Sequence, residues 1–351
     1  MSWVRELARP DIVALKPYEH ASWEPSLERL HANELPWRPA DDDSRAGLNR
    51  YPEPQPRALR ECLADLYAVA PDSVLVGRGS DEAIDLLTRA FCSAGHDAVL
   101  VCPPTFGMYS VSARIQGAEV LQVPLRAADG FALDEPAVLD RCTAAVKLIF
   151  VCSPNNPTGN LLDEATIVRI AQRLAGRALV VIDEAYLEFA QRPSLARRVA
   201  ELPNLAILRT LSKAYGLAGA RCGALIADPE IIALLRKIIP PYAIPQLTRE
   251  AVLDRMTPEA RAESRARLEL LLAERERLLT ALPRLPGITK VWPSAANFVL
   301  AEFATAAASL TRARQARLLV RDARGYPGLG RALRITVGTP EQNGRLLEAW
   351  S

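Results

Sequence analysis

The chain of 351 residues is poor in several things, and each shortage closes off a class of function. Its three histidines, at 20, 31 and 96, stand far apart, so no histidine-based metal centre is expected. None of its six cysteines forms a Cys-x-x-Cys pair, and most lie inside apolar runs such as "LIFVCSP". They read as buried, reduced thiols rather than a disulfide frame or a zinc site. No apolar run approaches the ~18 residues that a membrane span requires, and the first twenty residues contain no apolar signal core. Charge of one sign is not in excess. The 43 Lys and Arg nearly balance the 41 Asp and Glu, which leaves no electrostatic footprint for nucleic acid or an anionic membrane. The expectation is a soluble, cytoplasmic protein acting on small molecules. Lysine is also scarce, occurring only at 16, 147, 213, 237 and 290, because arginine carries the basic charge.

What is present is an alternation. After a Pro-rich, irregular N-terminal stretch, short apolar runs at 73–77, 97–104, 118–125, 145–154, 178–186, 205–212 and 222–228 alternate with amphipathic segments at 56–69, 80–94, 105–117 and 163–176. Continuous apolar strands separated by helices predict an α/β fold: a doubly wound, mostly parallel sheet covered on both faces. A charged helix is expected over 258–282, linking this unit to a smaller α+β domain with strands near 287–292, 297–303, 317–322 and 332–338. The predicted division is an arm (1–35), a large domain (36–240) and a small domain (241–351).

In open α/β sheets, ligands bind beyond the carboxyl ends of the strands. Those ends carry Ser80, Asp81, Asn155, Asn156, Asp183, Glu184, Tyr186, Thr210, Ser212 and Lys213. Asp183, at the end of "ALVVI", is either a helix cap or a partly buried carboxylate awaiting a cation, such as a protonated ring nitrogen. Lys213 is either a surface residue or an amine whose pKa is lowered by desolvation and a neighbouring arginine, able to form a Schiff base. Arg221 keeps its charge and suits a phosphate, as do the hydroxyls of Thr210 and Ser212 and the helix start "GSDE" at 79–82. A cis bond is expected before Pro157 in "SPNNPTG" (153–159). An imine-forming lysine, a ring-nitrogen carboxylate and a phosphate cup are together the requirements of pyridoxal 5′-phosphate.

Several motifs in order carry a family resemblance. "SPNNPTG", "VVIDEAY" and "RTLSKAYGLAGARCG" resemble the large-domain motifs of fold-type I aminotransferases. "LNRYPEPQP", "GRGSDEAIDLLTRAF", "CPPTFGMYSVSA" and "LRITVGTPEQN" are similar to those of the histidinol-phosphate aminotransferase family, and the likeness runs from about residue 5 to the end. The resemblance implies Lys213 as the imine-forming and proton-moving lysine and Asp183 as the pyridine-nitrogen partner. It implies Asn156 and Tyr186 on the cofactor's 3′-oxygen and Tyr109 stacked on its ring. Ser80, Asp81, Thr210, Ser212 and Arg221 are expected around its phosphate. Tyr51 is expected to reach the phosphate across a homodimer interface. Arg334 is expected to bind the substrate anion and Arg321 to be a second phosphate contact, with Tyr18 and Asn33 of the arm closing over the substrate. The implied reaction is transamination between histidinol phosphate and 2-oxoglutarate, giving glutamate by two half-reactions at one site. The stretch 238–253, "IIPPYAIPQLTREAVL", departs from the family pattern. The competing readings are a broad-range aromatic aminotransferase, a pyridoxal-phosphate lyase or decarboxylase acting on a phosphorylated amino acid, and a non-catalytic effector domain, although no DNA-binding segment precedes Trp3.

Overall fold

Seven strands form the large sheet: β1 (Val74–Gly77), β2 (Ala98–Val101), β3 (Glu119–Gln122), β4 (Val146–Cys152), β5 (Leu179–Asp183), β6 (Leu205–Thr210) and β7 (Gly223–Ala227). The computed structural model describes residues 2–24 and 26–351, so the predicted arm is described except at residues 1 and 25. The strand order is β1-β7-β6-β5-β4-β2-β3. Pairing is parallel from β6 through β5, β4 and β2 to β3, and only β7 runs antiparallel to its two neighbours. This is the expected mostly parallel sheet.

Because side chains alternate across a strand, each apolar run feeds two cores. Val180, Ile182, Leu205 and Ile207 enter one cluster with the helix Arg57–Tyr67. Leu179, Val181, Ala206 and Leu208 enter the other, with the helices Ser80–Phe91 and Pro229–Leu235. The same alternation sends Asp183 and Thr210 to one face and Glu184 and Arg209 to the other, which matters below.

The N-terminal residues are seated on the large domain. Val4, Leu7 and Ala8 are buried in the second cluster, the Arg9 N–H donates to the Ala90 carbonyl at 3.0 Å, and Lys237 Nζ donates to the Val13 carbonyl at 2.7 Å. The atypical 238–253 stretch contributes to a helix, Gln246–Arg255, whose Val252 is buried in the first cluster. Its Thr248 hydroxyl donates to the Ala220 carbonyl at 2.9 Å, steadying the loop between Lys213 and Arg221.

The charged helix Pro258–Ala281 leads to a four-stranded antiparallel sheet of β8 (Ile288–Val291), β9 (Phe298–Phe303), β10 (Arg321–Asp322) and β11 (Ala332–Thr336), in the order β10-β11-β9-β8. The strand expected over 317–322 pairs only at its last two residues. Arg317 takes a positive φ of 58° just before it, a conformation incompatible with extended pairing. Arg321 lies directly opposite Arg334 in the β10–β11 ladder, so the two arginines share a face.

Candidate active site

The carboxyl ends of β4, β5 and β6 and the start of helix Ser80–Phe91 open into one cavity. Nine of the predicted residues line it: Ser80, Asp81, Asn156, Asp183, Tyr186, Thr210, Ser212, Lys213 and Arg221. At its floor, Asp183 is 3% exposed and among the described residues forms no ion pair. Burial pushes its carboxyl up to about 6, against hydrogen bonds from Tyr109 and the Ala185 N–H that stabilise the charge. Lys213 is held below the usual lysine range, first by burial and then by the nearby charge of Arg334. A buried acid without a cation and an amine biased toward its neutral form are the groups that sequence reasoning anticipated.

The far wall is an anion cup. No side chain caps helix Ser80–Phe91, so its first N–H groups are unclaimed by one. Arg221 reaches into this wall, donating to the Ser212 hydroxyl at 3.3 Å and the Ala218 carbonyl at 3.2 Å. Two glycines make the close approach possible. A Cβ on Gly79, where φ is +84°, would lie 2.8 Å from Arg221 Nη2, and one on Gly223 would lie 2.8 Å from the Gly79 carbonyl carbon. Asp81 takes a different part from the one expected. Its carboxylate accepts from Arg221 Nη2 at 3.3 Å, so it orients the arginine, and only its backbone N–H suits an anion.

The four-stranded sheet borders the other side through Arg334 of β11. Arg334 Nη1 donates to Asn156 Oδ1, its guanidinium lies 5.1 Å from the Phe298 ring centre, and its buried Nε has no hydrogen-bond partner. The Asn156 amide donates to the Tyr186 hydroxyl at 3.3 Å, and burial raises that phenol's pKa. The bond before Pro157 is cis, as are those before Pro104 and Pro154.

Tyr109 is not where the resemblance put it. It is fully buried beneath the cavity, stacked on Phe150 at 4.8 Å, with its hydroxyl on Asp183. Phe106 lines the cavity in its place, so a ring stacked there would meet Phe106. The reason is helical geometry: Tyr109 falls in the first turn of Met108–Gln116 and turns inward, while Phe106 precedes the helix beyond the end of β2. The strand-end rule could have singled out Phe106. Tyr18, Asn33, Tyr51, Arg321 and Arg334 do not line the cavity, and Arg334 adjoins it only through Asn156. Tyr18 lines a separate groove with Arg60, Arg236 and Lys237; Asn33 is exposed with φ of 56°; Tyr51 stacks on Tyr242 at 4.5 Å.

Residues 30–349 match the family "Aminotransferase class I and II". The chain is 50% identical over 359 aligned positions to a histidinol-phosphate aminotransferase of Stenotrophomonas maltophilia, covering 99% of this chain and 96% of that protein. This chain belongs to the class I and II aminotransferases. The family is pyridoxal-phosphate-dependent. The fold is shared with a Sinorhizobium meliloti histidinol-phosphate aminotransferase solved in complex with pyridoxal 5′-phosphate, at a TM-score of 0.77 and 24% identity over 86% of this chain and 82% of that one. An L-threonine-O-3-phosphate decarboxylase of Porphyromonas gingivalis superimposes with a TM-score of 0.74 at 26% identity, over 86% of this aminotransferase and 90% of that chain. The cavity fits the cofactor on its own terms: an unpaired buried acid for a cationic ring nitrogen, an amine for an aldehyde and an uncapped helix with Arg221 for a phosphate.

Proposed function

We propose that this aminotransferase converts L-histidinol phosphate and 2-oxoglutarate reversibly to imidazole acetol phosphate and L-glutamate, a step of histidine biosynthesis, with pyridoxal 5′-phosphate in the cavity. Asp183 would pair with the ring nitrogen, Phe106 would cover the ring, and Asn156 and Tyr186 would hold its 3′-oxygen. Ser80, Thr210, Ser212, Arg221 and the backbone N–H of Asp81 would hold its phosphate. When bound, the cofactor supplies an electron sink for the pair left when a substrate Cα–H bond breaks. Lys213 Nζ takes that proton, and burial, which lowers its basicity, favours the neutral, proton-accepting form.

The observation that carries the substrate reading is Arg334. It brings a buried, unpartnered Nε to the Asn156 side of the cavity, with Arg321 opposite it in the ladder. One arginine fork fits the carboxylate of glutamate or the phosphate of histidinol phosphate, and a second cation on the same face favours the doubly charged phosphate. The near-full-length likeness to a protein of that name supports the same substrate. We place the enzyme in the cytoplasm as a homodimer, with an arm (1–35), a cofactor-binding domain (36–240) and a small domain (241–351). Tyr51, half exposed on its own chain, would reach the partner's cofactor phosphate. Tyr18 and Asn33 would close over the substrate.

The test is a donor panel with 2-oxoglutarate: histidinol phosphate, histidinol, phenylalanine and threonine phosphate. Histidinol phosphate should turn over fastest, and histidinol should lose at least tenfold in kcat/KM. Equal turnover of phenylalanine would favour a broad-range enzyme. Release of carbon dioxide from threonine phosphate without 2-oxoglutarate would favour a decarboxylase.

A further inference from the structure

Tyr109 is left without a task once Phe106 lines the cavity, yet it is bound more tightly than a core tyrosine needs to be. Its ring is stacked on Phe150, 4.8 Å away and inclined by only 3°, and meets Phe106 in a T-shaped contact, 5.6 Å away at 81°. Its hydroxyl is fully buried and donates to Asp183 Oδ2 at 2.7 Å. The second carboxylate oxygen, Oδ1, accepts the Ala185 N–H at 3.0 Å. Each oxygen therefore has one fixed donor. The carboxylate plane cannot turn, and its remaining lone pairs are free for the cavity that Asp183 lines.

We propose that Tyr109 is a positioning residue for the cofactor: from beneath the cavity it orients Asp183 so that the carboxylate meets the ring nitrogen of pyridoxal 5′-phosphate. The proposal rests on the reading that this cofactor occupies the cavity. The surroundings explain why such a donor is needed. Asp183 is buried, Asp81 and Glu184 add negative potential, Cys152 lies close by as an uncharged thiol, and Lys213 adds opposing positive charge. Burial raises the pKa of the Tyr109 phenol well above its ordinary value, so it remains a donor throughout the working pH range. A tyrosine kept only for packing would not need its hydroxyl on the one buried acid facing the cavity. Phenylalanine would fill the same space.

The experiment is a cycle of two proteins and two cofactors. Wild-type protein and Tyr109→Phe are each stripped and titrated with pyridoxal 5′-phosphate and with its 1-deaza analogue, which carries carbon in place of the ring nitrogen. Affinity and dissociation rate are read by fluorescence. If Tyr109 acts through Asp183 on that nitrogen, Tyr109→Phe weakens the natural cofactor roughly tenfold or more, in line with a lost hydrogen bond to a charged acceptor. The deaza analogue should change by less than about twofold. Equal weakening of both ligands, or of neither, overturns the proposal, since loss of packing cannot tell nitrogen from carbon. Phe150→Leu, which removes the stacking partner but keeps the hydroxyl, should weaken both ligands alike if it weakens either. If Tyr109→Phe does not fold, Tyr109→Met, which fills the space with a flexible apolar chain, takes its place in the cycle. A wild-type protein that binds neither ligand would count against the cofactor reading itself, a result separate from either outcome above.

Discussion

Asp183 and Glu184 are neighbours in the chain, each 3% exposed, yet they live in opposite electrostatic worlds. Strand alternation sends Glu184 to the face where Arg209 donates to it at 2.8 Å and also reaches Glu188 at 2.6 Å. The Leu195 N–H and the Ser194 hydroxyl donate to the same Glu184 carboxylate, and the Tyr67 ring lies 4.8 Å from the Arg209 guanidinium. Both carboxylates of that network find their cation within the chain, although Arg209 Nε and the Tyr67 hydroxyl have no hydrogen-bond partner among the described residues. Asp183, on the other face, has two neutral donors and, among the described residues, no cation. One face of the sheet ends in carboxylates whose counter-charge the chain supplies; the other ends in a charge that a ligand must complete. The lesson is that burial alone does not mark a functional acid, whereas burial without a counter-charge does.

The comparison can be broken most severely from the cavity side. Lys213→Ala should lower transamination by at least roughly 10³-fold. Because Lys213, though partly desolvated by its neighbours, stays open to solvent and forms no ion pair among the described residues, the apoprotein's unfolding free energy should move by no more than about 0.5 kcal/mol. Retained turnover would remove this lysine from the chemistry. On the opposite face the expectation reverses. Arg209→Ala strands the buried Glu184 and the partly buried Glu188 and should cost about 3–5 kcal/mol in urea unfolding, before any effect on substrate is considered. A loss below about 1 kcal/mol would show that the network holds nothing together.

A pH comparison sharpens the contrast. The Asp183 carboxyl is raised from 3.8 to about 6 in the folded chain, so the folded state binds the proton more tightly than the unfolded one. Its contribution is thus most favourable below about pH 4 and is lost as pH rises through about 6. Asp183→Asn should therefore make the apoprotein more stable than wild type above pH ~7, by about 3 kcal/mol at most, and confer no advantage below pH ~4. The same variant should retain cofactor poorly. Thermal melts of the stripped proteins across this range check it, and a destabilised variant at pH 8 would mean that Asp183 is structurally paired after all.

The smallest expected effect is on substrate selection. Arg334→Lys keeps the charge but loses the fork, and should reduce kcat/KM for glutamate and for histidinol phosphate alike by roughly tenfold. Loss with only one of them would separate the two anion roles.

Much of this was legible in residue order. The apolar runs ending in Asp183 and Thr210 predicted strands whose carboxyl ends meet, and nine predicted residues share a cavity. Tyr109 was misread because "TFGMY" holds two aromatics three residues apart, and the family likeness was followed where the position between strand end and helix start pointed to Phe106. Residue order did not reveal the Arg209 network either, because its Glu188 lies in a short 3-10 turn and its Ser194 at the start of the next, and the sheet brings them together.

By itself, then, the sequence determined the alternation of strands and helices, the scarcity that singles out Lys213, and the residue types of a cofactor cup. Those follow from periodicity and chemistry along the chain, which are local. Only the tertiary structure decided which of two adjacent acids is completed by the protein and which is left for a ligand. It also put Phe106 rather than Tyr109 against the cavity, and set Arg334 of the small sheet beside Asn156 of the large one. Counter-charge and contact are properties of neighbours in space, and those neighbours lie up to 178 residues apart in the chain.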